Sequence, residues 1–158
     1  MTSTMHPIET FTPVRAANQR DVLSLTLPPL RLLRVAFIGV GARGRQAVMR
    51  WCHIPGVEIV AVCDSVKSTA EDVSRQVAQL GKPRPAVFSG ESAYIELCQL
   101  PAVNLIYVCT DWLSHAPIAV HAMQNRKNVA VEVPAALSLK DIWQLIDTAE
   151  RTQQHCMM

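Results

Sequence analysis

The chain has 158 residues, 49% of them apolar, with 15 basic against 13 acidic side chains and a formal charge of +2. That size and composition suit one globular domain with a sizeable core. The near balance of charge, without a Lys/Arg run, argues against a nucleic-acid partner, and no stretch is long and apolar enough to span a membrane.

Residues 1–31 read as an extended N-terminal arm and 32–158 as the ordered domain. Residues 1–20 are polar and proline-interrupted, without the basic and apolar regions of a secretory signal. Leu23, Leu25 and Leu27 alternate with Ser24 and Thr26, which fits a short strand or an extended segment lying on the domain. Pro28 and Pro29 stop it.

The apolar run Val35–Ile38 then predicts a strand buried on both faces. Gly39, Gly41 and Gly44 follow as G-x-G-x-x-G where the chain enters a helix. Gly39 permits the tight turn, Gly41 lets backbone approach a pyrophosphate, and Gly44 allows close helix–strand packing. The helix start offers unpaired N–H groups to that pyrophosphate. Gly44, Ala47, Val48 and Trp51 make one helical face, ended by Pro55-Gly56. A second strand, 57–63, runs into Asp64, 20 residues after Gly44, where a carboxylate accepts hydrogen bonds from an adenosine ribose. A strand-end Asp that only caps the next helix would explain Asp64 but not the spacing. The pattern points to NAD, because a 2′-phosphate beside Asp64 is repelled; Lys67 is the one nearby cation that argues the other way.

Val66, Ala70, Val73, Val77 and Leu80 recur at helical spacing, with Gly81 as C-cap. A third strand around 86–88 and a helix over 94–98 follow, then a fourth strand at 105–109 and a helix over 117–125. The fifth strand, 128–133, is closed by Pro134. Ser138 caps the last helix with Asp141 at its third position, and Leu139, Ile142, Leu145, Ile146 and Ala149 form its buried face. Repeated βα units with short links specify an α/β fold, a doubly wound parallel sheet of the Rossmann type. Its ligands sit outside the C-terminal strand ends, where Asp64, Thr110–His115 and Glu132 converge.

The five cysteines contain no C-x-x-C pair, and His53, His121 and His155 have no metal-ligand spacing, so neither a disulfide framework nor a metal site is expected. A reducing, cytoplasmic location is the default reading.

From about Leu32 onward the chain resembles the glucose–fructose oxidoreductase/inositol dehydrogenase (Gfo/Idh/MocA) superfamily. Within it the likeness is greatest to the NAD-dependent glycosidases typified by α-N-acetylgalactosaminidase. The residues that carry it are Gly39–Gly44, His53-Ile54-Pro55-Gly56, Cys63-Asp64, Thr110–His115, Glu132-Val133-Pro134 and the stretch from Thr148 to Met158. The resemblance implies that Ala42 and Arg43 contact the cofactor diphosphate and Asp64 the adenosine ribose. It implies that Trp112, Leu113, Ser114 and His115 line the nicotinamide half, and that Glu132 and Val133 sit at the nicotinamide ribose. Each has a plainer alternative: Trp112 as an aromatic packed at a helix start, His115 as a helix-entry histidine facing solvent, Arg43 as a solvated side chain.

Dehydrogenases of this superfamily usually carry Glu-Lys-Pro at the fifth strand end, with the lysine polarising the substrate hydroxyl. Here that position is Val133, which can neither donate a hydrogen bond nor move a proton. The glycosidases instead oxidise C3 of the sugar, eliminate the leaving group from the acidified C2, and return the hydride. The resemblance also implies a second α/β domain, absent from these 158 residues, which shapes the sugar site and through which homo-oligomers would form. The catalytic base and most sugar contacts belong to it, so no catalytic residue is assigned here, and the 158 residues alone are expected to be inactive. Three readings follow: part of an NAD-dependent glycosidase, part of a sugar or cyclitol oxidoreductase, or a non-catalytic dinucleotide-binding module.

Overall fold

The computed structural model describes residues 13–17 and 19–158. Of the arm expected over residues 1–31, residues 1–12 and 18 lie outside the described residues. From Leu33 the chain alternates β1 (Leu33–Ile38), α1 (Ala42–Trp51), β2 (Val57–Asp64), α2 (Lys67–Gln79), β3 (Ala86–Ser89) and α3 (Ala93–Cys98). Then come β4 (Leu105–Val108), α4 (Trp112–Gln124), β5 (Asn128–Val131), α5 (Leu139–Thr152) and β6 (Cys156–Met157). All strand pairs are parallel, in the order β3-β2-β1-β4-β5-β6. The order reverses between β1 and β4, and that reversal opens a crevice at their C-terminal ends.

The apolar run of β1 is buried on both faces, as its sequence demands. Ala36 and Ile38 enter one core with α3, α4 and α5, while Val35 and Phe37 enter the other with α1 and α2. Phe37 stacks on Tyr107 at 5.1 Å, and Trp51 meets both edge-on. No helix among the described residues is long and apolar enough to cross a membrane.

Several boundaries depart from expectation. Leu23–Leu27 forms no strand, and Leu23 is exposed, whereas Val22 packs on the core. The segment before it straps across α5: Arg15 pairs with the buried Glu150, and Gln19 donates to both Asp147 and Glu150. Helix α4 begins at Trp112 rather than Pro117, because the Asp111 carboxylate accepts from the N–H groups of Leu113 and Ser114. Strand β5 stops at Val131, so Glu132 and Val133 lie beyond it. Leu139 and Ile142 on α5 are exposed, and only Leu145 and Ala149 of its expected face are fully buried.

Candidate functional site

The turn from β1 to α1 separates the jobs of the three glycines. Gly39 has φ +82°, and a Cβ there would meet the Cys109 and Thr110 backbone at 2.7 Å. A Cβ on Gly44 would lie 1.9 Å from the Gly39 carbonyl oxygen. Both are demanded by the fold itself. Gly41 has φ −63°, and a Cβ there meets nothing within 4 Å. Among the described residues nothing requires a glycine at that position; a group approaching the backbone from the crevice would. The first α1 hydrogen bond runs from Arg45 N–H to the Gly41 carbonyl, so the amides of Ala42, Arg43 and Gly44 lie ahead of it. No side chain caps this helix and no acid stands in its first turn, which suits a diphosphate.

Asp64 stands across the turn. One carboxylate oxygen accepts from Val40 N–H at 2.9 Å and the other from Val66 N–H at 3.0 Å. A carboxylate offers about four acceptor positions, so roughly two remain for ribose hydroxyls. The capping role and the ligand role are thus compatible.

A cleft of about 600 Å³ brings Gly39, Gly41, Asp64, Thr110 and Ser114 together, along with Asp111. Gly90, Glu91 and Tyr94 complete its wall, and the sequence reading omitted them. The strand-end rule that found Asp64 applies equally to β3, whose C-terminal end precedes Gly90 and Glu91.

The remaining expected residues are distributed around this cleft rather than inside it. Trp112 (61% exposed) and Leu113 (80%) project from the first turn of α4, next to Leu137 in a shallower depression. Arg43 turns away from the helix start and pairs with Glu132 at 3.2 Å. The same Glu132 oxygen accepts from the Tyr107 hydroxyl at 3.1 Å. Burial acts to raise the Glu132 carboxyl, but the Arg43 and Tyr107 hydrogen bonds and the charges of Arg43 and Arg50 outweigh it and hold it below its usual value. Burial, followed by the bond to Glu132, pushes Tyr107 up to about 12. Val133 is 63% exposed, an apolar side chain on the rim with no proton to exchange.

His115 departs from the alternative of a solvent-facing histidine: it is 1% exposed, and both ring nitrogens meet backbone carbonyls. Nδ1 lies 2.8 Å from the Pro134 oxygen and Nε2 3.1 Å from the Thr110 oxygen. Among the described residues, no group of three or more His, Cys, Asp or Glu side chains could hold a metal.

The family described as "Oxidoreductase family, NAD-binding Rossmann fold" matches residues 33–158. The chain belongs to the Gfo/Idh/MocA family. Its cofactor is therefore NAD, and the geometry of the Gly41 turn fits that group. This Gfo/Idh/MocA domain is 47% identical over 152 residues to glycosyl hydrolase family 109 protein 1 of Bacteroides thetaiotaomicron, covering 96% of this chain and 32% of the relative. A glycosyl hydrolase family 109 protein of Porphyromonas gingivalis is 43% identical, with the same coverage. The chain thus spans about a third of the length of these relatives. Among solved structures, myo-inositol dehydrogenase of Lactobacillus casei in complex with NAD(H) and myo-inositol superposes with a TM-score of 0.67 at 25% identity. That match covers 74% of this chain and 33% of the dehydrogenase.

Proposed function

We propose that this domain is the cofactor-binding part of an NAD-dependent glycoside hydrolase that works by transient oxidation at C3 of a sugar and elimination. The observation that carries this reading is Val133, read beside the family 109 relatives. Hydride loss from a carbinol carbon, in a dehydrogenase or at C3 in this reading, needs a group that takes the hydroxyl proton, and dehydrogenases of the superfamily usually place a lysine at this position to do so. Valine at this rim position provides none, while it can pack against an apolar face.

Bound NAD supplies a hydride acceptor that is restored within each turnover. The amides of Ala42, Arg43 and Gly44 hold the diphosphate, with Gly41 leaving room for its approach. Asp64 takes the adenosine ribose hydroxyls on its free acceptor positions. Thr110, Trp112, Leu113 and Ser114 border the nicotinamide half, His115 fixes that border from beneath, and Glu132 and Val133 stand at the nicotinamide ribose. The sugar, its contacts, any oligomer and a cytoplasmic location form part of the same proposal. A dehydrogenase acting on a sugar or cyclitol is the second reading, favoured by the likeness to myo-inositol dehydrogenase.

The test joins this domain to the remaining two-thirds of a family 109 relative and assays the fusion in deuterated water. Glycoside cleavage should proceed without NADH accumulating, and product should carry deuterium at C2. Val133→Lys should not improve cleavage. NADH appearing in step with product, or retention of the C2 proton, would move the assignment to the dehydrogenase.

A further inference from the structure

His115 is a buried side chain that touches both loops bordering the second half of the crevice. Thr110 ends the β4 connection that leads into Asp111–Ser114. Pro134 directly follows Glu132 and Val133. A carbonyl oxygen only accepts hydrogen bonds, and the ring faces one on each side. A neutral imidazole carries a single N–H, so it can donate to one of these carbonyls while its other nitrogen turns a lone pair on the second. The doubly protonated ring donates to both. The arrangement is complete in one protonation state alone.

The charged and titratable groups of the surrounding elements are committed elsewhere. Asp111, at the head of the same helix, accepts from the Leu113 and Ser114 amides and the Ser114 hydroxyl. Glu132 beyond β5 is held by Arg43 and Tyr107. On α5, Asp141 accepts from Ser138, Asp147 is paired with Arg151, and Glu150 is pinned by Arg15 and Gln19. Cys109 at the end of β4 is kept a neutral thiol by burial, which pushes it up to about 12. None of these groups is hydrogen-bonded to the ring, whose hydrogen-bond partners among the described residues are the two carbonyls.

We propose that His115 is a protonation-dependent clip: with both ring nitrogens protonated it ties the Thr110 and Pro134 loops together, and losing one proton frees one of them. It is a positioning residue that acts on the cofactor through the backbone of Asp111–Ser114 and Glu132–Val133. The idea rests on those two loops bordering the nicotinamide half. Its linkage has a fixed sign: if the clipped state binds NAD better, affinity is higher below the ring's titration than above it, and binding takes up protons.

The first measurement needs no nucleotide. Hydrogen-exchange protection in Asp111–Leu113 and Ala135–Leu137 is followed from pH 5.5 to 8 on the free chain, with Val73 and Val77 in α2 as controls. Ring nitrogen shifts report His115 protonation in the same samples. Protection in the two loops should fall several-fold as the ring loses its proton, while α2 stays level. The second measurement is calorimetric titration with NAD in buffers of different ionisation enthalpy. Affinity should drop about fivefold or more across the same transition, with net proton uptake in the midpoint region. His115→Gln, which donates at constant charge, should abolish both steps. Loop protection that ignores ring protonation, or a pH step that survives in His115→Gln, would overturn the clip. If NAD fails to bind at any pH, the cofactor assignment falls while the exchange result still decides the clip.

Discussion

The two halves of the crevice are built from different materials. At β1 and β2 the wall is backbone: glycines, the free amides at the start of α1, and an aspartate already anchored by Val40 and Val66. At β4 and β5 it is side chains, and the apolar ones, Trp112, Leu113, Val133 and Leu137, stand exposed on the rim. The first half is shaped by the domain's own packing and is finished without help. The second half offers apolar surface that the described residues leave uncovered. Within the glycine turn a similar division recurs, since the fold demands a glycine at Gly44 and leaves open space at Gly41.

That division can be cut apart by substitution. Gly44→Ala should cost about 3 kcal/mol or more, because its Cβ would collide with main chain that cannot yield, and chemical denaturation reads the loss. Gly41→Ser should leave stability unchanged or raise it by up to about 1 kcal/mol, since serine can cap α1. Its hydroxyl then occupies the amides that a diphosphate needs, and NAD affinity should fall at least about tenfold by calorimetry, about 1.4 kcal/mol. Equal losses of stability and affinity in both variants would erase the distinction.

Asp64→Ala tests whether the anchored aspartate also serves the ligand. It should weaken NAD binding by about 1.5–3 kcal/mol for each ribose hydrogen bond removed. It should also narrow the preference of the wild-type protein for NAD over NADP. Unfolding should register a separate loss of about 1–3 kcal/mol as the Val40 and Val66 amides lose their acceptor. A variant that loses stability alone would leave Asp64 a cap and nothing more.

The smallest effect belongs to the second half. Asp111→Ala should cost about 1 kcal/mol of stability through the lost cap of α4. The Ser114 hydroxyl, ahead of the Ser114 and Leu113 amides, holds the Asp111 carboxyl below its ordinary value. Its contribution is therefore fully present above about pH 4 and fades as pH falls through the folded-state value. Denaturation at pH 7 and pH 3 should show the difference between wild type and Asp111→Ala shrinking at the lower pH.

What could be read from the sequence was what local chemistry decides. The run Val35–Ile38, the glycine spacing and Asp64 need only neighbouring residues to be interpreted, and the structure puts the run in β1, the glycines at the turn into α1 and Asp64 at the end of β2. The start of α4 is harder to read, because Pro117 looks like a first-turn residue, whereas Asp111 three residues before Ser114 is the stronger signal. The burial of His115 depends on the Pro134 carbonyl, 19 residues away, which no periodicity reveals. Leu139 and Ile142 fall on the apolar stripe of α5, but a stripe records a hydrophobic face without saying what lies against it.

The strap over α5 bears on how the chain reaches this fold. Arg15 and Gln19 are synthesised well before α5, and Gln19 meets Asp147 and Glu150 across sequence separations of 128 and 131 residues. Closing so long a loop yields nothing until α5 exists to receive it, so these contacts form late. The buried carboxylate of Glu150 then acts as a completion mark, satisfied by Arg15 and Gln19 when the two distant segments are finally in place.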